Sequence, residues 1–237
     1  MSPFFHITFK GQRFDCVVAS ADVSLRYDFE SHRPAFLDVA VNAQSVAATQ
    51  DDGSTYTYDM PNFYLDSFAL PETMPRLGDI RALERTYEFH QTRAADGQVV
   101  FEHDEPGALY FNHHQQIDDL VLDLHYLGGA RFHVRAEGSV EMETTFRLEA
   151  EAPLSKITCS LADAEVNDLE LVSFDDAAFD DAKARNMAGL PVAAIPKRLV
   201  ADFATRFRVD QFDLALRQNA YHKGWTFFAV PRSDFEE

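Results

Sequence analysis

The sequence predicts an α+β protein dominated by strands: a mostly antiparallel curved sheet or sandwich with two helices packed on it toward the C-terminus. Three observations carry that expectation. Apolar and polar residues alternate almost without a break from Leu120 to Glu151. Shorter alternating runs separated by Gly, Pro, Asn and Asp clusters fill most of the chain before it. The stronger helical signals, a capping pattern and an apolar spacing of four without alternation, come late, after residue 170.

In the long stretch Leu120, Leu122, Leu124, Tyr126, Ala130, Phe132, Val134, Ala136, Val140, Met142, Phe146 and Leu148 occupy even positions. Asp123, His125, Arg131, His133, Arg135, Glu137, Glu141, Glu143, Arg147 and Glu149 occupy odd ones. A period of two over this length describes strands with one dry face and one wet face, the antiparallel pattern. Parity constrains the turns. A two-residue turn at Gly128-Gly129 would set apolar residues opposite charged ones. A three-residue loop keeps even opposite even, with Asp123 across from Arg135 and Leu124 across from Val134. A second turn at Glu137-Gly138-Ser139 would place Arg135 opposite Glu141 and His133 opposite Glu143. The expectation is a three-stranded meander; the competing reading is one long strand bent at Gly138.

Toward the N-terminus, Phe5, Ile7 and Phe9 share one face of a strand over Phe4–Lys10, and Phe14–Ser20 is a second short run. Val23, Leu25, Tyr27 and Phe29 alternate, as do Leu37, Val39, Val41 and Ala43, which predicts a hairpin around Ser31-His32-Arg33-Pro34. Gln50–Ser54 is a turn cluster, with short strands around Tyr56, Tyr58, Phe63 and Leu65. The chain reads as one domain over 1–237, with a possible internal division near 71–78, where Pro71, Pro75 and Gly78 fall. Asp79–Glu84 could begin a helix. Thr86–Phe101 reads as a hairpin with Ala95-Asp96-Gly97 as its loop.

Ser173, followed by Asp175 and Asp176, caps a helix over Phe174–Ala188, stopped by Gly189 and Pro191. Pro196 opens a second, with Leu199, Phe203 and Phe207 four apart. Phe212, Leu214 and Leu216 then alternate, and with Trp225–Val230 they predict a closing hairpin through Asn219–Gly224; a helix continued through Val209, Phe212 and Leu216 is the alternative there.

Composition narrows the function. The chain carries 21 basic against 39 acidic residues, a net charge of −18. Nucleic acid and anionic membrane both demand basic surface, so neither is expected as a partner. No run is long enough for a membrane span and no basic n-region opens the chain, so the expected location is cytoplasmic. Cys16 and Cys159 sit in apolar settings and read as reduced core residues. Oligomeric state is not legible.

Three candidate chemistries remain. Five of nine histidines, His103, His113, His114, His125 and His133, fall in one segment with Asp104, Glu105, Asp118 and Asp119 among them. Imidazoles and carboxylates can build a metal-dependent enzyme, but their spacing fits no ligand template, so no metal or cofactor is expected. The 21 phenylalanines could line a cavity for an apolar small molecule or lipid. The third candidate is the acidic run within Asp163–Asp181, which holds no Lys or Arg. Asp168, Glu170, Asp175, Asp176, Asp180 and Asp181 would there engage a basic protein partner. No nucleophile elbow or glycine-rich phosphate loop is present. The leading expectation is therefore a non-catalytic soluble binding protein of the immunity, inhibitor or adaptor kind, leaning away from an enzyme.

Overall fold

Alternation becomes a set of long, bent strands in the computed structural model, which describes residues 3–28, 33–49, 53–70, 80–91, 107–141, 144–161, 197–205, 207–218 and 225–232. The strands are β1 (Phe4–Phe9), β2 (Gln12–Cys16), β3 (Val18–Asp28), β4 (Arg33–Ala43), β5 (Val46–Thr49), β6 (Thr55–Tyr58), β7 (Asn62–Ala69), β8 (Arg85–His90), β9 (Gly107–Phe111), β10 (His113–Gly128), β11 (Arg131–Val140), β12 (Thr144–Leu161), β13 (Phe212–Gln218) and β14 (Trp225–Pro231). One helix, α1 (Lys197–Ala204), is present among the described residues.

Tight turns set the local pairings. Lys10 and Gly11, with φ of 49° and 78°, make the two-residue turn between β1 and β2, the primed geometry whose twist matches that of the strands. In the next hairpin Val23 faces Val39 and Leu25 faces Leu37, so the apolar sets of β3 and β4 fall on one side, as their parity predicts. The β10–β11 hairpin likewise sets Asp123 across from Arg135, Leu124 across from Val134 and His125 across from His133. Its loop differs from expectation. A two-residue turn at Gly129-Ala130, with φ of 57° and 53°, follows a register irregularity between Tyr126 and Gly128. The extra residue in the bulge restores the parity that a two-residue turn alone would break.

The meander β10–β11–β12 forms, but its second turn lies beyond the position expected. β11 runs straight through Gly138 to Val140, and β12 starts at Thr144. Arg135 therefore faces Glu149 and His133 faces Glu151, in place of Glu141 and Glu143. Gly138 serves a close backbone approach within the sheet: a β-carbon there would meet the Asp119 carbonyl oxygen.

Two sheets arise, and β10 and β12 belong to both. One runs β2-β1-β12-β11-β10-β8; the other runs β13-β14-β12-β3-β4-β7-β9-β10. The pairings β12–β3–β4–β7–β9–β10–β11–β12 close a circuit, so the two sheets join as one mixed sheet closed on itself, with β10 and β12 at its corners. All described pairings are antiparallel except β3 with β12. Each corner strand changes phase where it changes sheet. In β12 the buried residues are Phe146 and Leu148, then Ile157, Cys159 and Leu161, with the shift between Leu154 and Lys156. In β10 they are Gln115 and Ile117, then Leu120, Leu122 and Leu124, with the shift between Ile117 and Asp119. A bulge lets one strand present its apolar residues inward on both sides of a corner.

Among the described residues, eleven phenylalanines are buried in the core. Phe63 of β7 meets Phe146 of β12 at 5.1 Å between ring centroids. Phe111 gathers Phe9, Phe14 and Tyr58 at 5.8, 5.0 and 4.2 Å, and Tyr58 brings the separate β5–β6 hairpin onto the core. Burying each such ring contributes roughly 1.5–3 kcal/mol.

α1 packs through Phe203 on Phe212 and Phe227, at 5.4 and 5.6 Å. It ends at Ala204, and Phe207 extends the contact by stacking on Phe203 at 4.7 Å. The chain then passes through a 3₁₀ turn, Val209–Gln211, into strand β13, so the continued-helix alternative does not hold. Ile80–Leu83 is likewise a 3₁₀ turn. The helix expected over Phe174–Ala188 and the second arm of the hairpin expected over Thr86–Phe101 lie outside the described residues. So do residues 71–78, although β7 and β9 on either side of them pair directly.

Candidate binding surface

The six acidic residues singled out in the sequence, Asp168, Glu170, Asp175, Asp176, Asp180 and Asp181, lie outside the described residues. The framework holds both flanks of their segment: Leu161 at the end of β12 pairs with Trp225, and Leu199 and Phe203 of α1 are buried.

The histidine segment is dispersed. His103 lies outside the described residues. His114 stacks on Tyr64 at 6.0 Å, while His125 and His133 are cross-strand neighbours on the outer face of the first sheet. Among the described residues no three His, Cys, Asp or Glu side chains group to hold a metal ion. Each outer-face histidine has a carboxylate near it instead. His125 Nδ1 is 3.0 Å from Glu84, His90 Nδ1 is 2.9 Å from Asp119, and His6 Nδ1 is 2.6 Å from Asp15. Glu84 also accepts the Tyr126 backbone N–H at 3.0 Å; that bond first, and His125 second, hold its carboxyl below the ordinary range.

Neither thiol is poised for attack. Both cysteines are buried, and burial pushes Cys16 up to about 11. A thiol at neutral pH is a poor nucleophile.

The outer face of the first sheet is a ladder of alternating charge. Glu149 faces Arg135 and Arg135 faces Asp123; in the next row Arg147 faces Glu137. Such cross-strand pairs are ordinary sheet support, each worth a few tenths of a kcal/mol to about 1 kcal/mol. One member departs from the pattern. Glu149 is only 8 % exposed. Phe4 sits directly across the ladder from it, with the Phe4 ring stacked on His6 at 4.5 Å. Arg147 Nη2 stands 3.7 Å from Glu149 Oε1, and His133 Nε2 stands 3.9 Å from Oε2. Neither distance is a hydrogen bond, and Oε2 has no hydrogen-bond partner.

Two open depressions share Glu149 as a wall. One, of about 340 Å³, lies where β12 parts from β1 and takes up β3, and is bordered by Pro3, Ser20, Ala21, His133 and Glu151. The other, of about 530 Å³, is bordered by His6, Thr8, Arg13, Thr145 and Arg147. The first is acidic and the second basic.

Sequence reasoning placed Glu149 on the wet face, and its parity is correct. Its cross-strand neighbour is Phe4 of β1, a partner from the far end of the chain that periodicity does not reveal. Comparison of the chain with protein-family models, with curated proteins and with solved structures finds no match.

Proposed function

We propose that the chain is a non-catalytic binding protein whose acidic connecting segments engage a basic protein partner. The observation that carries this reading is where the charge resides. Of the net −18, the described residues account for −3, with 18 acidic against 15 basic side chains. The remaining segments account for −15, with 21 acidic against 6 basic. The described strands come close to neutralising themselves through cross-strand pairs, whereas in the remaining segments acid outnumbers base more than three to one. Acid kept at the cost of self-repulsion raises the on-rate and selectivity for a basic surface.

No helix among the described residues is long and apolar enough to cross a membrane. The Phe-lined cavity draws less support, because Phe63, Phe111, Phe146, Phe203, Phe212 and Phe227 are in contact with other aromatic rings.

The test is capture from cell extract by the immobilised full chain. A basic protein retained at low salt and released as ionic strength rises is expected. Retention should fall when Asp168, Glu170, Asp175, Asp176, Asp180 and Asp181 are changed to their amides. Capture of no basic protein, or capture indifferent to salt, overturns the reading.

A further inference from the structure

We infer that the acidic depression beside Glu149 accepts a basic side chain, arginine or lysine; as a contact with the partner this rests on the proposed function, but as a cation site it stands on its own geometry. The first support is the carboxylate. Glu149 is 8 % exposed and its Oε2 has no hydrogen-bond donor. Buried polar atoms are almost always satisfied, and one that is not gains free energy when a donor arrives. Its nearest side-chain nitrogens, on Arg147 at 3.7 Å and His133 at 3.9 Å, stand too far off to donate.

The second support is the asymmetry of the two depressions. The 340 Å³ one has Glu149 and Glu151 in its walls and no Lys or Arg, the nearest guanidinium to Glu151 being that of Arg131 at 3.8 Å, outside the walls. The 530 Å³ one has Arg13, Arg147 and His6. A cation is thus favoured on one side of Glu149 and disfavoured on the other. The acidic side also has the shape for a long basic side chain. Val18, Ala19 and Ala21 give it apolar wall for the methylene stem, and the carboxylates receive the head. A guanidinium, with its fixed fork of donors, suits such carboxylates better than a point charge does.

The test uses the isolated full chain and N-acetyl-arginine amide as the probe, followed by amide NMR. Saturable shifts are expected at Ser20, Ala21 and Ala150, with affinity at least tenfold weaker in Glu149→Gln. Glu137→Gln, an exposed acid of the same face outside these walls, should bind within twofold of the parent. Ser20→Leu, which narrows the mouth from β3 without altering either carboxylate, should weaken binding as Glu149→Gln does and guards against a folding defect in that variant. Absence of saturable shifts, or equal affinity in the parent and both groove variants, overturns the site. The titration needs no partner: probe binding with failed capture keeps the pocket and removes the partner reading, and salt-dependent capture with no probe binding does the reverse.

Discussion

A β-carbon on Gly138 would lie 2.1 Å from the carbonyl oxygen of Asp119. That contact joins β11 to the bulge by which β10 passes from one sheet to the other. Alanine in a strand is ordinarily favoured over glycine by roughly 0.5–1 kcal/mol. Here the overlap is with backbone, which cannot swing aside, and the sign reverses. Gly138→Ala is expected to destabilise by about 1–3 kcal/mol, the cost of forcing atoms into a packed site. A denaturation midpoint equal to that of the parent would show that the bulge yields freely.

Gly11→Ala separates steric from torsional cost. Nothing lies within 4 Å of a β-carbon at Gly11, but its φ is +78°. Only the left-handed backbone penalty then applies, about 1–2 kcal/mol. At Gly107, where φ is +146° and a β-carbon would fall 2.0 Å from the Tyr64 carbonyl oxygen, both terms act. The expected order of thermal stability is parent, then Gly11→Ala, then Gly107→Ala. An inverted order would mean that β7 and β9 can part at little cost.

These glycines mark where local sequence was and was not informative. Alternation from Leu120 to Leu148 fixes which residues face the core, and the register Leu124 to Val134 follows from it. Gly138 carried the usual turn signal, yet it sits inside a strand because another backbone passes close by. The actual turn follows Val140, where the sequence offers neither Gly nor Pro. Period two names faces and not neighbours. The pairing of β12 with β1 and its parallel pairing with β3 were therefore invisible, and so was the burial of Glu149 opposite Phe4. The phase shifts in β10 and β12 were hidden because a bulge looks like a lapse in the pattern until the corner it serves is known.

The thiols test the closure of the core. Cys16 and Cys159 are 5 % and 2 % exposed, and burial raises Cys16 to about 11. Neither should react with a chromogenic disulfide reagent in the native state at pH 8, and both should react at once in denaturant. Rapid native labelling of Cys16 would mean that the β1–β2 edge opens readily.

Phe63 of β7 and Phe146 of β12 tie strands of the two sheets together through the core. Both are buried, with centroids 5.1 Å apart. Phe63→Ala should cost about 3–5 kcal/mol and Phe63→Leu less than about 1.5 kcal/mol. With Phe146→Ala the effects should be less than additive, by about 0.5–1.5 kcal/mol for the ring pair. Strict additivity in urea unfolding would place the two rings in independent parts of the core.

The acid limb of stability reports on Glu84. Its carboxylate accepts the Tyr126 N–H and faces His125, and together they hold its pKa below the ordinary glutamate range. A folded-state pKa below the unfolded one means that the unfolded chain takes up its proton first as pH falls. The stabilisation is therefore full above the unfolded value and fades as pH drops through it toward the folded one. Glu84→Ala should flatten the decline in stability below about pH 4.5, while Glu84→Gln, which keeps an acceptor for the Tyr126 N–H, should flatten it at a smaller loss of stability at neutral pH. An acid limb unchanged in both variants would assign the proton uptake to other carboxylates whose pKa is lowered, such as Asp15 beside Arg13 or Asp210 beside Arg208.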